Sequence, residues 1–253
     1  MSVLPIPVDL TDRVALVTGG TKGIGAAIAD RLAEAGATVV VCGRNAPEAS
    51  AHAFVACDVR DPEQVTALLD TIVADHGRLD VAVNNAGGGP YVPAADASAR
   101  FTEAIVRLNL LGAIQVCQAA NGVMQGQADG GAIVNITSVS GTRPSPGSAA
   151  YGAAKAGLTS YTRSVAVEWA PKVRVNTVTG GLILTEDSLD HYGGGEGVAR
   201  VAATVPMARF GTPADMADAV AFLASPLAGY VTGADLLLHG GGEWPAFLRA
   251  AEG

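Results

Sequence analysis

Tyr151 and Lys155 stand four residues apart in AAYGAAKAGL, residues 149–158, a stretch otherwise made almost wholly of small residues. On an α-helix that interval stacks both side chains on one face, about 5–6 Å apart at Cβ, so an ammonium can act on a phenol. A phenol titrates near 10, and ready proton exchange near neutrality asks for a shift of roughly 3 units, or about 4 kcal/mol; one partly hydrated lysine supplies only part of it. The pair alone is equally what a packed ring beside a snorkelling lysine stem looks like. Two further polar residues bear on the choice. Ser138, in NITSVS, closes an apolar β-rich run, and Asn109 interrupts the apolar VRLNLLGA of a helical stretch over 98–120, where an amide needs partners. Singly these are a turn serine and a capping or buried amide; their joint appearance with Tyr151 and Lys155 is not ordinary.

The elements that must position them follow from the pattern of apolar runs. Short β-rich runs recur at 14–18, 38–42, 54–57, 81–83, 132–137, 173–178 and 236–238, and most are separated by longer Ala-rich stretches with helical periodicity. Short continuous apolar strands alternating with helices predict a parallel sheet covered on both faces, a doubly wound α/β fold. No linker or repeat divides the series, so residues 1–253 read as a single nucleotide-binding domain of Rossmann-like type. The region 181–206 shows neither periodicity, contains GGGEG at 193–197, and reads as a lid loop.

Directly after the first run comes TGGTKGIG, residues 18–25, leading into a helix over 26–35. Gly19, Gly23 and Gly25, with Thr21, Lys22 and Ile24 among them, do not spell G-x-G-x-x-G, yet the physics is the same. Residues without Cβ allow a tight strand-to-helix turn and let a pyrophosphate reach backbone N–H groups at the helix N-terminus. Near the end of the second run, where an NAD-binding protein places a carboxylate for the ribose 2′-hydroxyl, VVVCGRN offers Gly43 and Arg44 instead. Arg44 can grip a 2′-phosphate bidentately and Lys22 can add a second positive charge, so NADP(H) is expected over NAD(H), unless both cations are merely solvated surface residues. Asp58 and Val59, in CDV, end the third run, with Asp58 placed to meet an adenine amino group. Asn85, Ala86 and Gly87, in NNAGGG, end the fourth at the same carboxyl edge, where such sheets bind ligands.

TGGTKGIG, CDV, NNAG, Asn109, Ser138, Tyr151-x-x-x-Lys155 and YVTG at 230–233 together resemble the short-chain dehydrogenase/reductase family, in its simple single-domain type of about this length, across nearly the whole chain. The resemblance implies that Ser138 hydrogen-bonds the substrate oxygen and that Tyr151 is the proton donor or acceptor. It implies that Lys155 holds the nicotinamide ribose and lowers the Tyr151 pKa, and that Asn109 fixes a water linking Lys155 to solvent. Ile183 and Thr185 would contact the nicotinamide carboxamide. It further implies a homotetramer through two long helices at 98–125 and 149–169, and a small-molecule carbonyl/alcohol substrate. The leading expectation is an NADPH-dependent oxidoreductase of a ketone and a secondary alcohol, the substrate apolar or an acyl thioester. NAD-dependent alcohol oxidation, a lyase or epimerase using the same phenol, and a regulatory nucleotide binder without turnover are the alternatives; the last has no chemical need for all four polar residues.

Three features depart from that family pattern. The interval from Arg44 to Phe54 is far shorter than the helix-bearing connection common in that family, so a loop is expected before the third strand; Gly180 stands where a proline is usual; and His239 replaces a frequent aspartate before a tail, GEWPAFLRAAEG, whose Trp244 and Phe247 are expected to pack on a neighbouring subunit rather than on their own domain. Leu182, Leu184, Leu189, Tyr192 and Val198 of the lid, with Tyr91 and Val92, suggest an apolar substrate pocket. A net charge of −8 with no basic run argues against a nucleic-acid partner. Cys42, Cys57 and Cys117 share no CxxC spacing and the four histidines, at 52, 76, 191 and 239, no HExxH, so no metal site is expected. The first residues lack a basic segment followed by an apolar core, and no apolar window of about 18 residues occurs, which predicts a cytoplasmic protein without membrane association.

Overall fold

Seven parallel strands pair in the order β3-β2-β1-β4-β5-β6-β7 in the computed structural model, which describes residues 8–186 and 192–252. The strands are β1 (Val14–Thr18), β2 (Thr38–Gly43), β3 (Ala53–Ala56), β4 (Val81–Asn84), β5 (Gly131–Ser138), β6 (Val173–Gly180) and β7 (Asp235–Leu238). The helices are α1 (Gly23–Glu34), α2 (Pro62–His76), α3 (Ala99–Val106), α4 (Gly112–Gly126), α5 (Ala149–Trp169), α6 (Gly194–Ala202), α7 (Pro213–Ala224) and α8 (Ala246–Glu252). The expected doubly wound α/β architecture is the one observed, and the sheet order reverses between β1 and β4, the place where such folds open a ligand crevice.

Strand alternation distributes the core over two layers. Ala15, Val17, Val39 and Val41 face Ile28 and Leu32 of α1 and Val220 of α7, whereas Val14, Leu16 and Val40 face Leu68 and Ile72 of α2 and Val116 of α4. Both faces are therefore apolar, as a buried parallel sheet requires. At the amino edge, buried Asp80 accepts hydrogen bonds from the Val14 N–H (2.9 Å) and from Arg13 (2.9 Å) and Arg78 (2.6 Å), locking β1 beside β4; the sequence reading did not single it out.

Three elements differ in detail from expectation. The third strand stops one residue before Cys57. The helical stretch read over 98–120 is continuous in right-handed backbone but carries a π-helical turn over Arg107–Leu111, between α3 and α4. The supposed lid loop contains a helix, α6, and GGGEG opens it rather than forming a slack tether: Gly193 is the left-handed N-cap (φ 78°), and a Cβ at Gly197 would lie 1.7 Å from the Tyr192 carbonyl oxygen. Leu189 and His191 lie outside the described residues. As expected, no helix intervenes between β2 and β3; the connection is held to α1 by His52 Nε2 and Asp30 Oδ1, 2.8 Å apart. In the tail, Arg143 pairs with Glu243 and the Trp244 N–H donates to the Thr204 carbonyl (3.0 Å), yet Trp244 and Phe247 are 51% and 73% exposed, so their own domain does not bury them.

Candidate active site

The small residues around Tyr151 have a packing reason. β5 ends at Ser138, whose Oγ accepts the Ser140 N–H (3.2 Å) and caps a 3₁₀ turn, Val139–Gly141. α5 lies directly on that turn: a Cβ at Gly152 would fall 2.4 Å from the Ser140 carbonyl oxygen, and one at Gly141 2.7 Å from the Ala156 nitrogen. Only glycine at both points lets the helix approach closely enough to bring Tyr151 and Lys155 to the end of β5, where Ser138 sits.

All three side chains line one cleft of ≈ 1220 Å³. Burial pushes the Tyr151 phenol above its ordinary pKa, and a hydrogen bond with Ser138 opposes that rise. Lys155 is buried, its Nζ 5.7 Å from the Tyr151 ring centre, and loss of hydration brings its pKa down to about 8. Nζ donates to the Ile136 carbonyl oxygen (2.9 Å), leaving two ammonium protons for the cleft. In this state the phenol is not acidified by Lys155; burial dominates.

Asn109 sits inside the π turn, fully buried. Its Oδ1 accepts the Gly88 N–H (2.7 Å), and its Nδ2 donates to the carbonyls of Gly88 (2.8 Å) and Ile105 (3.0 Å). The side chain thus clasps the segment after β4 with both donors and one acceptor site. The extra residue of the π turn is what aims it there. A Cβ at Gly87 would lie 2.7 Å from Asn109 Oδ1 and 3.2 Å from Lys155 Nζ, so glycine keeps the floor between them open.

The other end of the cleft is built on the glycine turn. Gly19 (φ 63°) and Gly23 (φ 56°) adopt left-handed backbone, and a Cβ at Gly25 would fall 2.1 Å from the Gly19 carbonyl oxygen. The N-cap residue of α1, Lys22, makes no side-chain cap hydrogen bond, and Thr21, Lys22, Gly23, Ile24 and Gly25 all line the cleft. This is a glycine-lined cradle at a helix N-terminus, and it fits a pyrophosphate. Asn85 acts on the cradle itself: its Nδ2 donates to the carbonyls of Thr18 (3.0 Å) and Gly19 (3.1 Å), while Thr18 Oγ1 accepts the N–H groups of Asn85 and Ala86 (3.0 Å each).

Arg44, exposed, lines the cleft with Asp58 and Val59. Asp58 is not a free acceptor. The Arg60 guanidinium grips its carboxylate through Nε and Nη2 and, with some help from Arg44, holds it below the usual carboxylate range. Arg60 was not anticipated; the signal, an arginine two residues after CDV's aspartate, is visible in the sequence but reads there as surface charge. Gly87, Ile183 and Thr185 also line the cleft, and a Cβ at Gly23 would touch Thr185 Cγ2 at 4.0 Å, so the chain leaving β6 passes over the glycine turn. Among the described residues no group of three or more His, Cys, Asp or Glu gathers as a metal site, and no helix is long and apolar enough to cross a membrane.

A glycine cradle at the first β–α turn, beside a tyrosine and a lysine at the end of β5, defines a dinucleotide-binding oxidoreductase of the doubly wound class. The chain belongs to the short-chain dehydrogenase/reductase family. Residues 19–243 match a family model described as enoyl-(acyl carrier protein) reductase. D-threitol dehydrogenase of Mycolicibacterium smegmatis is 38% identical over 92% of this chain and 93% of its own. A 3-oxoacyl-(acyl-carrier-protein) reductase of Vibrio cholerae is 38% identical over 92% and 98%. The ligand-free aldohexose dehydrogenase of Thermoplasma acidophilum superposes with a TM-score of 0.88 at 33% identity, covering 92% of this chain and 94% of that one. The protein is accordingly an oxidoreductase that acts on CH–OH groups and their carbonyl counterparts with a nicotinamide cofactor.

Proposed function

We propose that the protein is a cytoplasmic NADPH-dependent carbonyl reductase that interconverts a ketone and a secondary alcohol. The meeting of Ser138, Tyr151 and Lys155 in one cleft with the glycine cradle carries this reading. Gly19, Thr21, Lys22, Gly23, Ile24 and Gly25 hold the pyrophosphate, Arg44 and Lys22 the 2′-phosphate, and Val59, Asn85, Ala86 and Gly87 the floor of the site. Ile183 and Thr185 cover the nicotinamide. The preference for NADP(H) over NAD(H) rests on Arg44 standing where an NAD enzyme carries an acid.

When bound, the dinucleotide supplies the hydride acceptor or donor. Ser138 donates to the substrate oxygen and orients the carbonyl. Tyr151 delivers its phenolic proton to that oxygen as the carbon becomes tetrahedral, and in oxidation takes it back. Lys155, held by Ile136, directs its remaining N–H bonds to the ribose hydroxyls and stabilises phenolate by its charge. Asn109 keeps Gly88 in place and so holds Gly87 clear of Lys155. The two long helical stretches, α3 through α4 and α5, pair subunits into a homotetramer, which light scattering coupled to gel filtration tests.

The deciding assay follows NADPH absorbance against a panel of ketones and acyl thioesters. Consumption is expected. Binding of NADPH without consumption by any carbonyl would instead favour a regulatory nucleotide binder.

A further inference from the structure

A second cavity, ≈ 180 Å³, opens beside the catalytic tyrosine, with Tyr151 in the wall of both spaces. Its other walls come from three segments: Val92 and Ala97 after β4, Phe101 and Ile105 on α3, and Ala150 at the start of α5. The lining carries no charged side chain, whereas the main cleft contains Lys22, Arg44 and Arg60. The walls are fixed to one another. The Val92 N–H donates to the Gly147 carbonyl oxygen (2.9 Å), Gly147 takes a left-handed φ of 77° with the Tyr91 ring laid against it, and Ser98 caps α3 through the Phe101 N–H (3.1 Å).

We infer that this cavity is a substrate subsite for the smaller, uncharged apolar substituent of the ketone, up to about the size of a phenyl ring, while the larger substituent runs into the open cleft past Tyr192. An apolar cavity of about 150 Å³ is enough to hold benzene. Each methylene buried there raises kcat/KM about fourfold while the group still fits. A carboxylate loses its hydration there without meeting a cation and is rejected; the Thr102 and Ser148 hydroxyls are the polar side chains of the lining besides Tyr151. Seating one substituent beside Tyr151 also decides which face of the carbonyl meets the hydride, so a single alcohol enantiomer forms. The inference rests on the carbonyl-reductase reading and adds the substrate class to it.

The test uses the full-length protein, NADPH, and ketones with one biphenyl-4-yl substituent and a second group grown from methyl through propyl and phenyl to biphenyl-4-yl. In the unsubstituted protein, kcat/KM is expected to rise up to phenyl and to fall at least tenfold when both groups are biphenyl-4-yl. Ala97→Leu narrows the cavity and should lower the phenyl-to-methyl ratio of kcat/KM at least tenfold; Phe101→Ala widens it and should move the size limit upward. Chiral chromatography should find one alcohol enantiomer. A size limit that ignores both substitutions overturns the subsite while leaving the reductase standing. No NADPH consumption with any ketone overturns the reductase reading, and the subsite with it.

Discussion

Lys155 Nζ donates to the carbonyl oxygen of Ile136 across 2.9 Å, so the ammonium of α5 is tied to the same strand that ends in Ser138. One bond thereby helps to fix where Lys155 lies relative to Ser138. It also keeps the ammonium buried, with little of its hydration left.

That burial has a pH signature. The folded-state pKa of Lys155, about 8, lies below its ordinary 10.5. Between those values the unfolded chain holds a proton that the folded chain has lost, so stability from this group is smallest below pH 8 and rises as pH climbs through the window. By pH 9.5 the gain is about 2 kcal/mol. Urea denaturation of the ligand-free protein at pH 7 and 9.5 should show that gain relative to Lys155→Met; equal pH slopes in the two proteins would contradict it.

Tyr151→Phe removes only the hydroxyl. Turnover of a ketone should fall by at least about 10²-fold, the lower range for loss of a positioned proton donor. NADPH binding, measured by fluorescence titration, should change little. Retention of most of the activity would take proton transfer away from Tyr151.

Arg44→Asp exchanges a cation for the carboxylate that an NAD enzyme carries at this point of the sheet. Charge-assisted hydrogen bonds to a phosphate are worth roughly 1.5–3 kcal/mol, so NADPH affinity should drop about 10- to 100-fold while NADH affinity holds or improves. Calorimetric titration with both dinucleotides checks the ratio. An unchanged ratio would move the phosphate site elsewhere.

Asn109→Ala deprives Gly88 of both its partners. Gly88 is only partly buried, so water can take up its N–H and carbonyl; two hydrogen bonds at about 0.5–1.5 kcal/mol each put the loss of stability at about 1–3 kcal/mol. Because the clasp positions the strand end beside Lys155, kcat should fall more than the affinity for NADPH. A melting temperature unaltered by the substitution would show that the clasp carries no weight.

The strands were legible because each is a short continuous apolar run, and Ser138, Tyr151 and Lys155 were legible because strand end and helix start must meet at one edge. What escaped had non-local causes. VRLNLLGA keeps a helical apolar rhythm, and nothing within it announces the additional residue of the π turn; that residue is explained by Asn109 reaching Gly88, 21 positions away. GGGEG reads as a flexible tether by composition, yet Gly197 is required by the closeness of the Tyr192 carbonyl and therefore belongs to a helix. Asp58 was readable as an acceptor, but its capture by Arg60 depends on the turn after β3 folding one side chain back over the other.

The nine residues between β2 and β3, 44–52, carry no helix, and β3 pairs with β2 alone. The outermost strand therefore has one lateral neighbour and thin cover at the end of the cleft lined by Arg44 and Asp58. A ligand that bridges the Arg44 end and the Asp58 end acts there as a clasp for the sheet margin, so saturation with coenzyme and resistance of that margin to opening become two readings of one equilibrium.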